Sequence, residues 1–181
     1  MKKILTLSLM ITAMVASAQM NISRWDVRIG LGSTFSGSGD FTIPTIDNEV
    51  NYRFNDYFSA SANLHFGRAG DLEDRKDMIS FWTGGATVFV SPFKNTSMLD
   101  LRFGGGVSYL DQSWVSPTSI QGQVGSPDYD IDHSFFHDHG FYPNIEVDLS
   151  YQLSDHFLIG FHTMAISNMQ YSATLKFGVF L

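Results

Sequence analysis

The residues able to do chemistry in this chain gather in two places. One is the run Asp128, Asp130, Asp132 and His133, followed closely by His137, Asp138 and His139. Imidazole and carboxylate groups at this density are the ligand set of a divalent cation such as Zn²⁺. Asp130, Asp132, His133, His137, Asp138 and His139 are therefore candidate metal ligands. No fixed metal-binding spacing is matched, and the same composition also describes an acidic, solvated surface loop. The other place is His162 with the following Ser167-Asn168. A histidine within hydrogen-bond reach of a serine can activate it as a nucleophile, which makes His162 and Ser167 candidate catalytic residues. Five positions separate the two, and on a continuous strand that spacing puts them on opposite faces.

A third set of polar residues recurs with period 2. Asp26, Arg28, Arg53, Asp100, Arg102, Glu146, Asp148 and Lys176 each alternate with apolar neighbours, and Glu49, His65 and His162 share the pattern. Alternation of this kind describes strands with one greasy and one wet face. It predicts eight strands, at residues 24–36, 49–54, 57–67, 78–91, 98–110, 140–151, 156–166 and 171–181. In the last of these, Tyr171, Ala173, Leu175, Phe177, Val179 and Leu181 form the apolar face, with Phe180 an exception on the other. A long two-faced strand exposes a sticky edge in water, whereas a closed barrel in a membrane removes the edge and uses the apolar face. The expected architecture is all-β, an eight-stranded antiparallel up-and-down transmembrane β-barrel.

The connections support it. The segment 111–139 is expected to be the longest irregular one, rich in Ser, Gly, Pro, Asp and His, and further long loops are expected at 37–48 and 68–77. Tight turns alternate with these, as in outer-membrane barrels with long outer loops and short periplasmic turns. Two of the turns echo each other, in the heptads 52–58 (YRFNDYF) and 151–157 (YQLSDHF), which suggests one turn solution used twice. Aromatics near strand ends, among them Trp25, Tyr52, Tyr109, Phe141 and Tyr171, suit interfacial girdles.

Residues 1–18 read as a cleaved secretory signal peptide. Lys2 and Lys3 precede an apolar run from Ile4 to Val15, and Ala16-Ser17-Ala18 is a small-x-small cleavage site. Residues 19–181 then form one barrel domain. With no cysteine, disulfide and thiolate-metal chemistry are excluded. The formal charge of −7 falls by the two leader lysines to −9, which argues against nucleic acid as a partner.

Alternation leaves open which face is inside, and a soluble lipocalin-like ligand-binding barrel has the same period with an apolar interior. Here the polar face carries near-balanced charges of both signs, as a narrow lumen requires and a solvated surface does not. An eight-stranded interior is just wide enough to be filled by side chains. The eight polar-face charges are thus expected to form a salt-bridged plug rather than a pore.

On these grounds the mature chain resembles the small outer-membrane β-barrel proteins of Gram-negative bacteria, similar to the OmpA transmembrane domain and the OmpX/Ail group. The resemblance implies an outer-membrane location, contact with outer-membrane lipid, and recognition of the C-terminal strand by the barrel assembly machinery. Members usually end in an aromatic residue, whereas Leu181 stands here with Phe180 one position before it. It also implies a non-enzymatic role in surface interaction or envelope support, with no cofactor; from its acidic, His-rich composition the long loop is expected to meet an extracellular protein or a divalent cation. A second resemblance carries the enzymatic alternative. His162 with Ser167-Asn168 resembles the His-x-Ser-Asn run of lipid A deacylases, which space the histidine and serine two apart on one strand face.

Overall fold

The structure, a computed structural model, describes residues 24–36, 41–70, 78–92, 99–121, 130–167 and 170–181, with side chains at 41, 116–121 and 130–133 left out. The expected signal segment, most of the expected loop 68–77 and Asp128 lie outside the described residues. So do the side chains of Asp130, Asp132 and His133.

The described residues form eight strands: β1 (Trp25–Ser36), β2 (Phe41–Arg53), β3 (Phe58–Ala69), β4 (Ile79–Val90), β5 (Leu99–Gln121), β6 (Asp130–Gln152), β7 (Phe157–Ile166) and β8 (Gln170–Phe180). Each pairs antiparallel with the next, and β8 returns to β1 to close the barrel. The closing ladder runs from Asp26↔Phe180 to Phe35↔Tyr171, and the Leu181 N–H adds a bond to the Trp25 carbonyl at 3.0 Å. No edge remains between the first and last strands, which answers the hazard of a long amphipathic strand.

Alternation sorts the side chains. Along β1, Asp26, Arg28, Thr34 and Ser36 are buried inside, while Ile29, Leu31 and Phe35 face out; Leu31 is 62% exposed. Phe103, Val107, Phe141, Ile145, Phe161, Leu175 and Phe177 continue that apolar exterior around the wall. A soluble lipocalin-like barrel would show the reverse, and the polar interior overturns that alternative.

The echoed heptads do share one turn. Asn55 Oδ1 accepts the N–H groups of Tyr57 and Phe58 at 2.8 and 2.9 Å, and Ser154 Oγ accepts those of His156 and Phe157 at 3.3 and 3.2 Å. In each turn two backbone N–H groups also converge on the carbonyl of the following Phe58 or Phe157. Short polar side chains that bond their own backbone two or three residues on are what such turns require.

Two expectations about strand ends are corrected. The second strand begins at Phe41 rather than Glu49, so most of the expected loop 37–48 is ladder. Along 41–47 the apolar Ile43 points inward and Thr42 and Pro44 outward, which cancels the hydrophobic signal without breaking the backbone pairing. Pro44 is tolerated because the ladder to β3 starts only at Thr45↔Gly67, leaving it paired on one side. The segment 111–139, read as irregular, is mostly a hairpin in which β5 and β6 pair from Leu99↔Tyr151 out to Gln121↔Asp130. Its one register shift lies between Pro117 and Ser119. Beyond the wall neither face needs to be greasy, so the ladder continues while the alternation that announces strands disappears.

Candidate functional site

The lumen is the first candidate site. Arg28 is held between two acids, Nε donating to Asp26 at 2.5 Å and Nη1 to both Asp148 oxygens at 2.9 and 3.0 Å. Asp148 is shared with Arg102, its cross-strand neighbour, at 3.1 Å. Arg102 also reaches Asn51 at 3.0 Å and Glu49 at 3.5 Å, and its guanidinium lies 4.6 Å from the centre of the Phe89 ring. Arg53 stands 3.9 Å from both Asp26 and Asp100.

A second cluster lies further out. Lys176 pairs with Asp47 at 2.6 Å and also with Glu49. Asp47 and Lys176 flank Gly30 in one rung, and a Cβ on Gly30 would come within 3.0 Å of Lys176 Cγ. The glycine leaves the lysine stem room to cross to its acid. His65 Nε2 is 3.4 Å from Asp47, while His162 Nε2 is 3.1 Å from Glu146 and its Nδ1 3.9 Å from Asp47. The two imidazoles stack with centres 6.1 Å apart. Glu146 further accepts from Asn63 at 2.9 Å, Thr87 at 2.7 Å and Asn144 at 3.0 Å.

The structure therefore brings Asp26, Arg28, Arg53, Asp100, Arg102, Glu146, Asp148 and Lys176 into one interior, all buried except the partly accessible Arg53. Sequence reasoning missed Asp47, the acid that joins Lys176 to both histidines. Recognising β2 as starting at Phe41 would have found it, since Asp47 keeps phase with Glu49 and Asn51.

The network is flanked at both ends. At the outer end Ile43, Ile79, Phe81 and Leu110 form a buried apolar plug with Ala69, Trp114 and Tyr142 packed against it. At the other end Arg53 lies over the Phe180 ring, 5.2 Å from its centre. Phe180, the exception in the last strand's alternation, thus serves the lumen mouth. Charges buried this deeply are favourable only when paired with opposite charges, and here each arginine and the lysine stands beside at least one acid.

His162 and Ser167 are not brought together. His162 is fully buried among Asp47, Glu146 and His65, whereas Ser167 is exposed at the end of β7, its N–H donating to the Pro143 carbonyl at 3.1 Å.

The second candidate site is the β5–β6 hairpin. The β4–β5 ladder ends at Ile79↔Trp114, with the Val115 N–H still donating to the Met78 carbonyl at 2.9 Å, and the β6–β7 ladder starts at Asn144↔Ile166. Past those rungs the two strands run on as a ribbon. Trp114 and Phe136 stack on its inner side, 5.6 Å apart and 15° from parallel. His137 and His139 face outward, and Asp138 accepts from the Tyr142 hydroxyl at 3.2 Å on the other side. Among the described residues no group of three or more His, Asp or Glu side chains is placed to hold a metal ion.

With fold and sites in view, comparison with known proteins is informative in one direction. No protein-family model and no curated protein matches the chain. Solved structures do. Ail, the attachment invasion locus protein of Yersinia pestis, superposes with a TM-score of 0.58 at 10% identity, covering 87% of this chain and 97% of that one. Neisserial surface protein A gives 0.54 at 15% identity, covering 86% and 93%. OprG, an outer membrane protein of Pseudomonas aeruginosa, gives 0.54 at 12% identity, covering 87% and 93%. The chain has the fold of the small outer-membrane barrels. At these identities the likeness is one of fold alone.

Proposed function

We propose that this chain is an integral outer-membrane barrel with no catalytic activity, whose role is surface interaction carried by the β5–β6 hairpin. The membrane part of the reading rests on the exterior. From Trp25 to Phe35, β1 spans roughly 33 Å along the strand, and at a tilt of about 40° roughly 25 Å along the barrel axis, the height of an outer-membrane apolar band. Aromatic groups stand at both limits. Trp25 and Tyr52 lie 4.6 Å apart at one end, and Tyr109 lies 5.3 Å from Trp82 and 5.1 Å from Phe141 at the other. In water each large exterior side chain would forgo about 1.5–3 kcal/mol of burial.

The observation that supports the surface role is the length of the hairpin. Its strands run 23 residues each, against 10 to 13 for the other six. About 9–11 residues suffice to cross a bilayer, so the excess stands outside it. A ribbon held by one ladder presents backbone N–H and C=O groups along its outer edges, and an extended segment of another protein can add to such an edge. Exposed Phe135, on the outer side of the ribbon, offers an apolar anchor beside it.

Two experiments test the reading. Membrane fractionation with heat-dependent gel mobility tests the barrel, and recovery as a soluble periplasmic protein without that mobility shift would refute it. Replacing residues 117–133 by an Asn-Gly turn and grafting the native hairpin onto an unrelated barrel test the surface role. Binding of whole cells to a panel of immobilised extracellular proteins should be lost in the first and gained in the second. A change in lipid A acylation on deleting the gene would instead make the protein an enzyme.

A further inference from the structure

The echo of the two turns extends beyond them. Residues 44–58 (PTIDNEVNYRFNDYF) align with 143–157 (PNIEVDLSYQLSDHF) at a constant spacing of 99, with five of fifteen positions identical. Residues 26–35 (DVRIGLGSTF) align with 100–109 (DLRFGGGVSY) at a spacing of 74, with four of ten identical, and 85–88 (GATV) with 172–175 (SATL) at a spacing of 87. Likeness at fixed spacing is the mark of a repeated structural unit.

The ladders test the likeness, because sequence similarity by itself says nothing about register. Arg28↔Glu49 in the first half has its equivalent in Arg102↔Asp148, and Ser33↔Pro44 in Val107↔Pro143. The β2–β3 ladder starts at Thr45↔Gly67 and the β6–β7 ladder at the equivalent Asn144↔Ile166. Where the halves join, Ser33↔Ala173 corresponds to Val107↔Ala86. A Cβ on Gly32 would run into the Ala173 carbonyl, and one on Gly106 into the equivalent Ala86 carbonyl, so both glycines admit the same close approach of a neighbouring strand. The β3–β4 and β7–β8 ladders differ by two residues, with Phe58 opposite Val90 but Phe157 opposite Val179, and a slip of two keeps every side chain on its face.

Equivalent strands stand four places apart in a closed ring of eight, and so on opposite sides of it. Contacts across the lumen obey the same exchange. Arg28 of β1 meets Asp148 of β6 at 2.9 Å, and Arg102 of β5 meets Glu49 of β2 at 3.5 Å. Asn63 of β3 donates to Glu146 of β6 at 2.9 Å, and His162 of β7 stands 3.9 Å from Asp47 of β2. Contacts in which the equivalents of two partners are themselves partners are those of an isologous, two-fold interface. Alternation alone would leave these partners unrelated.

We propose that the chain is a tandem repeat of one four-stranded unit, β1–β4 and β5–β8, in which each unit is the other's partner across the lumen. The ribbon is then an insertion in the second copy. From Ser33 and Val107 to Pro44 and Pro143 the spacing rises from 74 to 99, so the connection between β5 and β6 is 25 residues longer than its equivalent between β1 and β2. The scaffold is built twice and the surface element is carried once, with its boundaries at Val107 and Pro143. This division does not depend on what the ribbon's edges contact.

The test uses three variants of the whole barrel, refolded in detergent micelles and read by heat-dependent gel mobility and by the urea unfolding midpoint. In the first, residues 107–143 are replaced by 33–44, which gives both units the short connection. In the second, 44–53 is replaced by its equivalent, 143–152. In the third, 44–53 is replaced by 145–154, which keeps length and alternation but displaces the segment by two residues. The first two are expected to retain the mobility shift, and the second to unfold at a higher urea concentration than the third. Loss of the shift in the first or second, or a third variant at least as stable as the second, overturns the repeat. All three readouts concern folding, so a ribbon that binds nothing refutes the surface role and leaves the repeat standing.

Discussion

The lower and upper halves of β5 and β6 are built from one continuous pair of strands under opposite constraints. In the lower half β5 has β6 along one edge and, from Phe103 on, β4 along the other; its inward residues enter a packed interior, and its outward residues Phe103 and Val107 belong to the apolar wall. Arg102 there has four partners within 3.5 Å, counting the hydroxyl of Ser59. Past Trp114 the same strands keep only each other, and no closed wall surrounds them. The lower half derives its order from the barrel, and its charges must be paired because water is excluded. The upper half is ordered by its own ladder, and its polar groups have water as an alternative. A sheet segment with few packed neighbours opens at low free energy, and regions that bind partners are drawn from that end of the scale.

Substitutions should separate the two halves by size of effect. Asp148→Ala removes the acid shared by Arg28 and Arg102, and is expected to destabilise the refolded barrel by about 3–5 kcal/mol, read as the shift of its urea unfolding midpoint. A shift below about 1 kcal/mol would mean that the lumen network is redundant. Gly104→Val comes next. A Cβ there would lie 2.7 Å from the Phe89 ring, on whose face Arg102 rests, so an overpacking loss of about 1–3 kcal/mol is expected by the same measurement. Phe136→Ala removes the stacking partner of Trp114 and should cost about 0.5–1.5 kcal/mol locally. Faster amide exchange at 115–121 with unchanged exchange in β1 and β8 is its signature, and equal acceleration everywhere would contradict the division. Replacing 117–133 by a two-residue turn should move the unfolding midpoint least, by about 0.5 kcal/mol or less, since the replaced segment lies past the last rungs that β5 and β6 share with the barrel wall.

Much of the lumen was legible in the sequence because its signal is local. Asp26 and Arg28, Asp100 and Arg102, and Glu146 and Asp148 occur as alternating pairs within single strands, so each announces its own face. Asn55 and Ser154 announced their turns in the same local way. The outer part of β2 was not legible. Ile43 points inward to join the plug with Phe81 and Leu110, so the apolar residue there stands on the face that elsewhere is polar. The surroundings of His137 were only half legible, because His139 is near it in sequence while Ser113 and Asp111 reach it across the hairpin.

The sequence by itself determined the number of barrel strands, which face of most of them is wet, and the chemistry of two of their turns, since all three follow from period 2 and from side chains that bond their own backbone. Only the tertiary structure decided the partners. That Lys176 meets Asp47 across Gly30, that Asp148 serves two arginines, and that Asp111 stands beside His137 all depend on strand register. Register is set by closure of the whole ring and by ladders that continue after the hydrophobic pattern ends. A shift of one residue would keep every strand and turn every side chain to the other face.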